Sequence, residues 1–198
     1  MSNVKILEAI NTNAPLLSIK SAFDVYDRVY QSIDPSTVLI FPKTQDDFQP
    51  TETLLALHKN EIVGVAILKP AVEFKDNSAL FGNNAIDILD KQFKTSKIEI
   101  NRVANMAVLP NVQGQGIAQK LFEYAALKSN GHCIAAITQD NVPSAKAASK
   151  AGYQLVPECQ YSNRFRFQDN KPVLDPKGDQ VLNWFIVSHT TSENDLII

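Results

Sequence analysis

The sequence is poor in residues that staple or ligate. In 198 residues it has two cysteines, Cys133 and Cys159, three histidines and one tryptophan. The two cysteines form neither a redox motif nor a metal set, so a reduced cytosolic setting is the expectation. His132 and His189 show no partner at ligand spacing and His58, in the hairpin turn, reads as exposed, so no metal is expected. Long apolar runs are lacking as well: none approaches the roughly 20 residues of a membrane span. The N-terminal "MSNVKILEAINTN" has no basic stretch leading into a long apolar core, which argues against a signal peptide. Charge of one sign is also missing. A net charge of −2 gives no general basic footprint for nucleic acid. These absences leave a soluble, cytoplasmic protein as the expectation, with no membrane partner and with nucleic acid disfavoured.

What is present is ordinary globular composition, 44% hydrophobic and 20% charged. The length suits one well-buried domain and is short for two. A single domain over residues 1–198 is expected, as a monomer or a homodimer.

Periodicity orders the chain. Residues 4–10 read as a short strand. Ile19, Ala22, Phe23, Tyr26, Val29, Tyr30 and Ile33 recur at helical spacing after Ser18, a candidate N-cap. Residues 34–52, rich in Pro, Asp and Gln, read as a long loop with room for a helical turn. "TLLALHKNEIVGVAIL" reads as a hairpin turning at Lys59-Asn60. "NNAIDILDKQF" reads as a short helix and "KIEINRVANMAVL" as a long strand. Ile117, Leu121 and Ala125, with Ala118, Phe122 and Ala126, form a helical apolar stripe closed by Asn130-Gly131. "HCIAAITQ" is a strand, "VPSAKAASKAG" a helix with Pro143 in its first turn, and "YQLVPECQYS" and "QVLNWFIVSHT" are strands joined by a polar connection. Strands alternating with helices after an N-terminal hairpin argue an α/β fold with a mixed sheet.

One stretch carries chemistry: "NVQGQGIAQKL", residues 111–121, a glycine loop opening a helix. Such loops hold phosphate, because unpaired backbone N–H groups and the helix dipole both point at the anion. No Lys-Ser/Thr pair follows, which excludes the P-loop. Gly114 and Gly116 fit a dinucleotide-binding turn, but its third glycine position is Gln119. The strand-loop-helix unit resembles motif A of the GNAT superfamily of acyl-CoA-dependent N-acetyltransferases. Their pattern Q/R-x-x-G-x-G/A is matched by Gln113-Gly114-Gln115-Gly116-Ile117-Ala118 after "MAVLPN". The family's second motif follows in order, as Asn141, Ser144, Lys150, Gly152 and Tyr153 at the family's offsets. Motif A thus spans about 97–130 and motif B about 132–160.

The resemblance implies a mixed, mostly antiparallel, twisted sheet flanked by helices and splayed at the strand before motif A. It implies acetyl-CoA as cosubstrate, no metal, and transfer of acetyl to a primary amine of a small molecule or peptide. Backbone N–H groups from Gln113 through Ala118 would cradle the pyrophosphate. Aligned on "AV", the backbone N–H of Met106 would bond the thioester oxygen, with Ala107 and Val108 running along pantetheine. For Met106 plain core packing is compatible with that role. Asn141 would bond the pantetheine arm or merely cap its helix, and the small Ser144 would let the thioester pass and could assist the leaving thiol.

Two departures stand out. The family's usual general-acid tyrosine, seven residues after the motif-B Asn, is here Ala148, and a position used by some relatives for a glutamate base is Arg102. Arginine is no base at neutral pH. Arg102 is left between gripping an acceptor's carboxylate or phosphate and an ion pair across the sheet. Glu99, about 23 Å from Met106 along an extended strand, is a poor base. Tyr153 and Tyr161 are candidate acids, though Tyr153 also suits a core aromatic. Asp46 and Asp47 could attract an amine or be solvated. The departures keep a second class open, an acyl-CoA-binding module without catalysis. A third, a toxin acetylating aminoacyl-tRNA, is disfavoured by the net charge.

Overall fold

The computed structural model describes residues 4–30, 44–70, 100–129, 132–138, 141–162, 165–168, 171–174 and 180–186. Strand β1 (Val4–Glu8) passes through a 3-10 turn (Ala9–Asn11) into helix α1 (Pro15–Tyr30). The helix begins earlier than Ser18. Pro15 suits a first turn, and Leu16 and Leu17, 75% and 64% exposed, stay off the core stripe that starts at Ile19. The loop before the hairpin contains a 3-10 turn, Gln45–Asp47, with a reciprocal Thr44–Asp47 capping box.

The hairpin is β2 (Thr53–His58) and β3 (Glu61–Pro70). Its turn residues Lys59 and Asn60 both have positive φ, 52° and 66°, as a two-residue turn between right-twisted strands requires. Strand β4 (Asn101–Val108) follows, then a 3-10 turn (Pro110–Val112), helix α2 (Ile117–Lys128), β5 (Cys133–Thr138) and helix α3 (Val142–Lys150). Strands β6 (Gln154–Ser162), β7 (Phe165–Gln168), β8 (Lys171–Leu174) and β9 (Gln180–Ile186) complete the described chain. The connection read as merely polar thus holds a two-stranded ribbon, β7 against β8; the Phe-Arg-Phe-Gln alternation was its signal. The helix read at 83–93, the Asn130-Gly131 cap and Glu99 lie outside the described residues.

Among the described residues seven strands form one sheet in the order β1-β2-β3-β4-β5-β9-β6, with only β4 and β5 parallel. This is the mixed, mostly antiparallel α/β sheet expected. Alternation sends side chains to two faces. One face packs α2 and α3, through Leu54, Ala66, Leu68, Val103, Cys133, Ala135, Leu121, Phe122 and Ala148. The other packs α1, through Leu55, Val65, Ile67, Ala107, Ile19, Ala22 and Tyr26. Gly64 in β3 makes the seat for α2: a Cβ there would stand 3.2 Å from the Ile117 side chain and 3.3 Å from the Ala107 carbonyl. The first residue of α2 is thereby pressed onto the sheet beside the end of β4. An ion pair between Lys128 and Glu8 ties the far end of α2 to β1.

Candidate functional site

Strand β4 is irregular where it matters. Ile67 pairs with Asn105 and Leu68 with Val103, so Ala104 is an extra residue, a β-bulge. On its other side, among the described residues, β4 pairs with β5 only through Asn101–Cys133, Arg102–Ile134 and Val103–Ala135. Beyond that rung β5 continues with β9 to Thr138, and β4 continues with β3 to Val108. The two parallel strands therefore splay into a wedge that opens toward the start of α2.

Register fixes what faces the wedge. The Leu109 N–H donates to the Val63 carbonyl at 2.9 Å, which makes Val108–Gly64 a non-hydrogen-bonded pair and Ala107–Val65 a hydrogen-bonded one. By alternation Met106 and Val108 turn their N–H and C=O away from β3, into the wedge. Ala107 turns its own toward β3, so its backbone is committed to the sheet.

The glycine loop lies next to the wedge mouth. Gly114 and Gly116 have φ of 78° and 81°, and among the described residues no atom lies within 4 Å of a Cβ built on either. Among the described residues nothing fills the room above the loop. Gly116 is the N-cap of α2 and offers no side-chain cap, and the first turn carries no acidic residue. Its leading N–H groups are therefore available to an anion, and no carboxylate of that turn repels one. Gln113, Gly114, Gln115 and Gly116 are exposed, Ile117 is buried and Ala118 half-buried. The Gln113 amide folds back to donate to the Val108 carbonyl at 2.9 Å, so it tethers the loop to the wedge rather than pointing into the empty room. What the loop presents at its mouth is therefore backbone donors.

Across the wedge, Asn141 caps α3: its Oδ1 accepts the Ser144 N–H at 3.2 Å. The capping reading is thus realised, and the amide's two N–H donors are not used by it. Ser144 is half-buried. Ala148 is 0% exposed and belongs to the core under α3. Tyr153 is the core aromatic: it packs on Phe122 with ring centroids 5.3 Å apart and donates its hydroxyl to the Phe122 carbonyl at 3.2 Å. Burial raises its pKa well above the tyrosine norm. It is no proton donor for the wedge. Tyr161 falls in β6, opposite Val181.

Arg102 is 8% exposed and sits on the paired part of β4, against Lys69 and Ile134. About 13 Å of extended strand separate it from Met106. Asp47 accepts the Thr44 N–H at 2.9 Å and so caps its own turn; Asp46 is exposed. Among the described residues no cluster of three His, Cys, Asp or Glu side chains could hold a metal ion, and no helix is long and apolar enough to cross a membrane.

Sequence reasoning missed three residues. Tyr30, at the last turn of α1, donates its hydroxyl to the Met106 carbonyl at 2.6 Å. Tyr26, one helical turn earlier, stacks on it with centroids 4.5 Å apart. Asn105, beside the bulge, donates its amide to the Tyr26 hydroxyl at 3.2 Å. Burial pushes the Tyr30 pKa up to about 12 and raises that of Tyr26 further. The signal was there: an asparagine inside the apolar run "VANMAVL" is a misfit unless the strand bulges.

The comparisons with known proteins agree with this architecture. Residues 49–155 match the family model described as an acetyltransferase (GNAT) domain. No curated protein sequence matches the chain. Among solved structures it is similar to an agmatine N-acetyltransferase mutant, at 13% identity and a TM-score of 0.60, over 92% of this chain and 98% of that one. It is similar to a mosquito arylalkylamine N-acetyltransferase-like protein, at 16% identity and a TM-score of 0.60, over 93% and 99%. A GNAT family acetyltransferase from Elizabethkingia anophelis, with acetyl-CoA bound, is similar at 16% identity and a TM-score of 0.53, over 95% and 100%. The family match spans more than half of the chain and includes β2 through α3, with the wedge and the glycine loop inside it: this chain belongs to the GNAT acetyltransferase family.

Proposed function

We propose that the chain, as one domain over residues 1–198, transfers the acetyl group of acetyl-CoA to the primary amine of a small molecule or peptide. The observation that carries this reading is the wedge. Two backbone N–H groups, of Met106 and Val108, face a gap between parallel strands, and a helix start without a side-chain cap, opened by a glycine loop, stands at its mouth. Pyrophosphate on the amides from Gln113 through Ala118 leaves the pantetheine arm to enter between β4 and α3, along Ala107 and Val108, with Asn141 and Ser144 on the opposite wall. The acetyl carbonyl then reaches the Met106 N–H.

The chemistry needs little else. The deprotonated amine attacks the thioester carbon, the N–C bond forms, and negative charge gathers on the oxygen held by Met106. A fixed N–H there acts on the charge as it develops, which is worth about a hundredfold or more in rate at comparable sites. The C–S bond then breaks. A coenzyme A thiol resembles a free cysteine, with a pKa of about 8.5, so its thiolate leaves without a strong acid, consistent with alanine at position 148. The amine's proton passes to solvent.

Solved relatives named for agmatine and for arylalkylamines support a small amine as acceptor. A carboxylate grip by Arg102 has less support, because the residue is 8% exposed. Alanine at 148 and arginine at 102 also permit one other reading, a module that binds acyl-CoA without turnover. Acetyl-CoA turnover, followed as free thiol against agmatine, polyamines, arylalkylamines, amino acids and peptides, separates the two. Thiol release with at least one amine is expected. Tight coenzyme binding with none would replace the enzyme by the binding module. Arg102→Ala assayed on amines with and without a carboxylate is expected to lose equally on both; a loss confined to carboxylate-bearing amines would restore the grip.

A further inference from the structure

Met106 presents two polar groups to the wedge, and only one of them helps an acyl transfer. Its N–H favours the developing oxyanion. Its C=O, on the same side of the strand, opposes it, since a carbonyl oxygen and an oxyanion repel. Strand β5 would have neutralised that carbonyl, but β5 has left by Val103–Ala135. The carbonyl is instead occupied from the α1 face, by the Tyr30 hydroxyl at 2.6 Å.

That hydroxyl is held, not trailing. The Tyr30 ring lies on Tyr26, Tyr26 is 2% exposed and bonded by Asn105, and Asn105 sits in the bulged stretch that turns Met106 into the wedge. Bulge, ring pair and hydroxyl form one closed circuit around the Met106 peptide. We infer that Tyr30 is a positioning residue for acyl transfer: its hydroxyl masks the Met106 carbonyl and fixes the peptide so that the Met106 N–H meets the thioester oxygen. A hydroxyl serves here because it stays protonated at any working pH, and so always donates. The inference rests on the acyl-transfer reading above.

The chain allows a direct test, because it has two methionines, Met1 and Met106. Carbonyl-13C methionine labelling therefore gives an internal signal that belongs to Met106 alone. Tyr30→Phe keeps the ring and removes the donor. It is expected to shift the Met106 carbonyl resonance upfield and to lower kcat by about tenfold or more, equivalent to about 1.4 kcal/mol of barrier. Acetyl-CoA affinity by calorimetry is expected to stay within about twofold, since phosphate binding is remote from the bond. Tyr153→Phe removes a matched hydroxyl-to-carbonyl bond in the core, and is expected to lower stability while leaving kcat alone. A Met106 resonance that does not move in Tyr30→Phe overturns the proposal. So does a moved resonance with unchanged kcat, which would make the bond structural only. A wild type that acetylates no amine removes the acyl-transfer reading and, with it, any catalytic role for Tyr30. An active wild type with an equally active Tyr30→Phe overturns this inference alone.

Discussion

Val103 stands opposite Ala135 in the last parallel rung between β4 and β5, and the next residue of β4, Ala104, is the bulge. The two facts are one event. A bulge sharpens the local twist of its strand, and a strand already held by β3 on one side turns away from its neighbour on the other. The wedge is thus written into a single extra residue.

The first prediction concerns the backbone exposed by that event. Met106 and Val108 N–H face the wedge and not β3, while Ala107 N–H bonds Val65. In the free protein the Met106 and Val108 amides should exchange with solvent faster than Ala107. Saturating acetyl-CoA should slow the Met106 amide by about tenfold or more, the behaviour of a newly protected opening. Amide exchange by NMR reads this directly. If acetyl-CoA protects Ala107 and leaves Met106 unchanged, the donor assignment is wrong.

The glycine loop gives the second. Among the described residues a Cβ at position 116 meets no atom within 4 Å, so the penalty of Gly116→Val is backbone strain at φ 81°, on the order of 1–2 kcal/mol. The fold should survive with a lowered melting temperature. Coenzyme A affinity should fall by about tenfold or more, because a side chain now fills the room from which backbone amides reach phosphate. Calorimetry on folded variant showing undiminished affinity would remove the loop from the binding site.

How much of this was legible beforehand depended on whether the signal was local. The Lys59-Asn60 turn was legible because the two-residue turn between two apolar runs restricts which backbones fit. The order of strands and helices was legible because each has its own period. The glycine loop was legible because its residues are consecutive. The role of Tyr30 was not: at positions 26 and 30 tyrosine reads as one more apolar member of a helical stripe, and its hydroxyl finds Met106 across 76 residues of chain. That the Gln113 side chain tethers the loop to the Val108 carbonyl was not legible either, since a side-chain rotamer is set by neighbours the sequence does not name. The start of α1 was displaced from Ser18 to Pro15 because exposed Leu16 and Leu17 break the pattern that periodicity relies on.

Ala148 carries the third prediction. Its position in the second motif invites a tyrosine, but here the side chain is fully buried among the residues that join α2, α3 and the sheet. Ala148→Tyr should therefore overpack the core, with a loss of about 1–3 kcal/mol or more and a lower melting temperature. No gain in kcat is expected, because in the proposed reaction the thiolate leaves without a strong acid and the new ring starts from a fully buried position. A thermally stable variant with tenfold higher kcat would mean that α3 can turn to present this residue, and that the missing acid limits the wild type.

The last prediction follows from the tyrosines. Four of the five, Tyr26, Tyr30, Tyr124 and Tyr153, have pKa values raised by burial. For Tyr30 the shift is from 10.0 up to about 12, and for the buried Cys133 thiol from 9.0 up to about 11. A raised folded pKa means that the unfolded chain gives up its proton first. Below pH 9 both states hold these protons and the stabilisation is whole. Above it the unfolded state binds fewer protons than the folded one, so stability falls as pH rises. The loss should begin near pH 9 with Cys133, steepen above pH 10 as the unfolded tyrosines ionise, and continue through the folded values. Two measurements check it on one sample series: the urea midpoint against pH, and tyrosinate absorbance of the folded protein. The midpoint should decline from about pH 9, and most tyrosinate absorbance should appear only above pH 10 and together with unfolding. Tyr30→Phe should flatten the decline between pH 10 and 12, since it deletes one of the groups responsible. Absorbance from several tyrosines near pH 10 in a protein that is still folded would show that the Tyr26–Tyr30 pair is open to water, and the enclosed Met106 contact could not then stand as described.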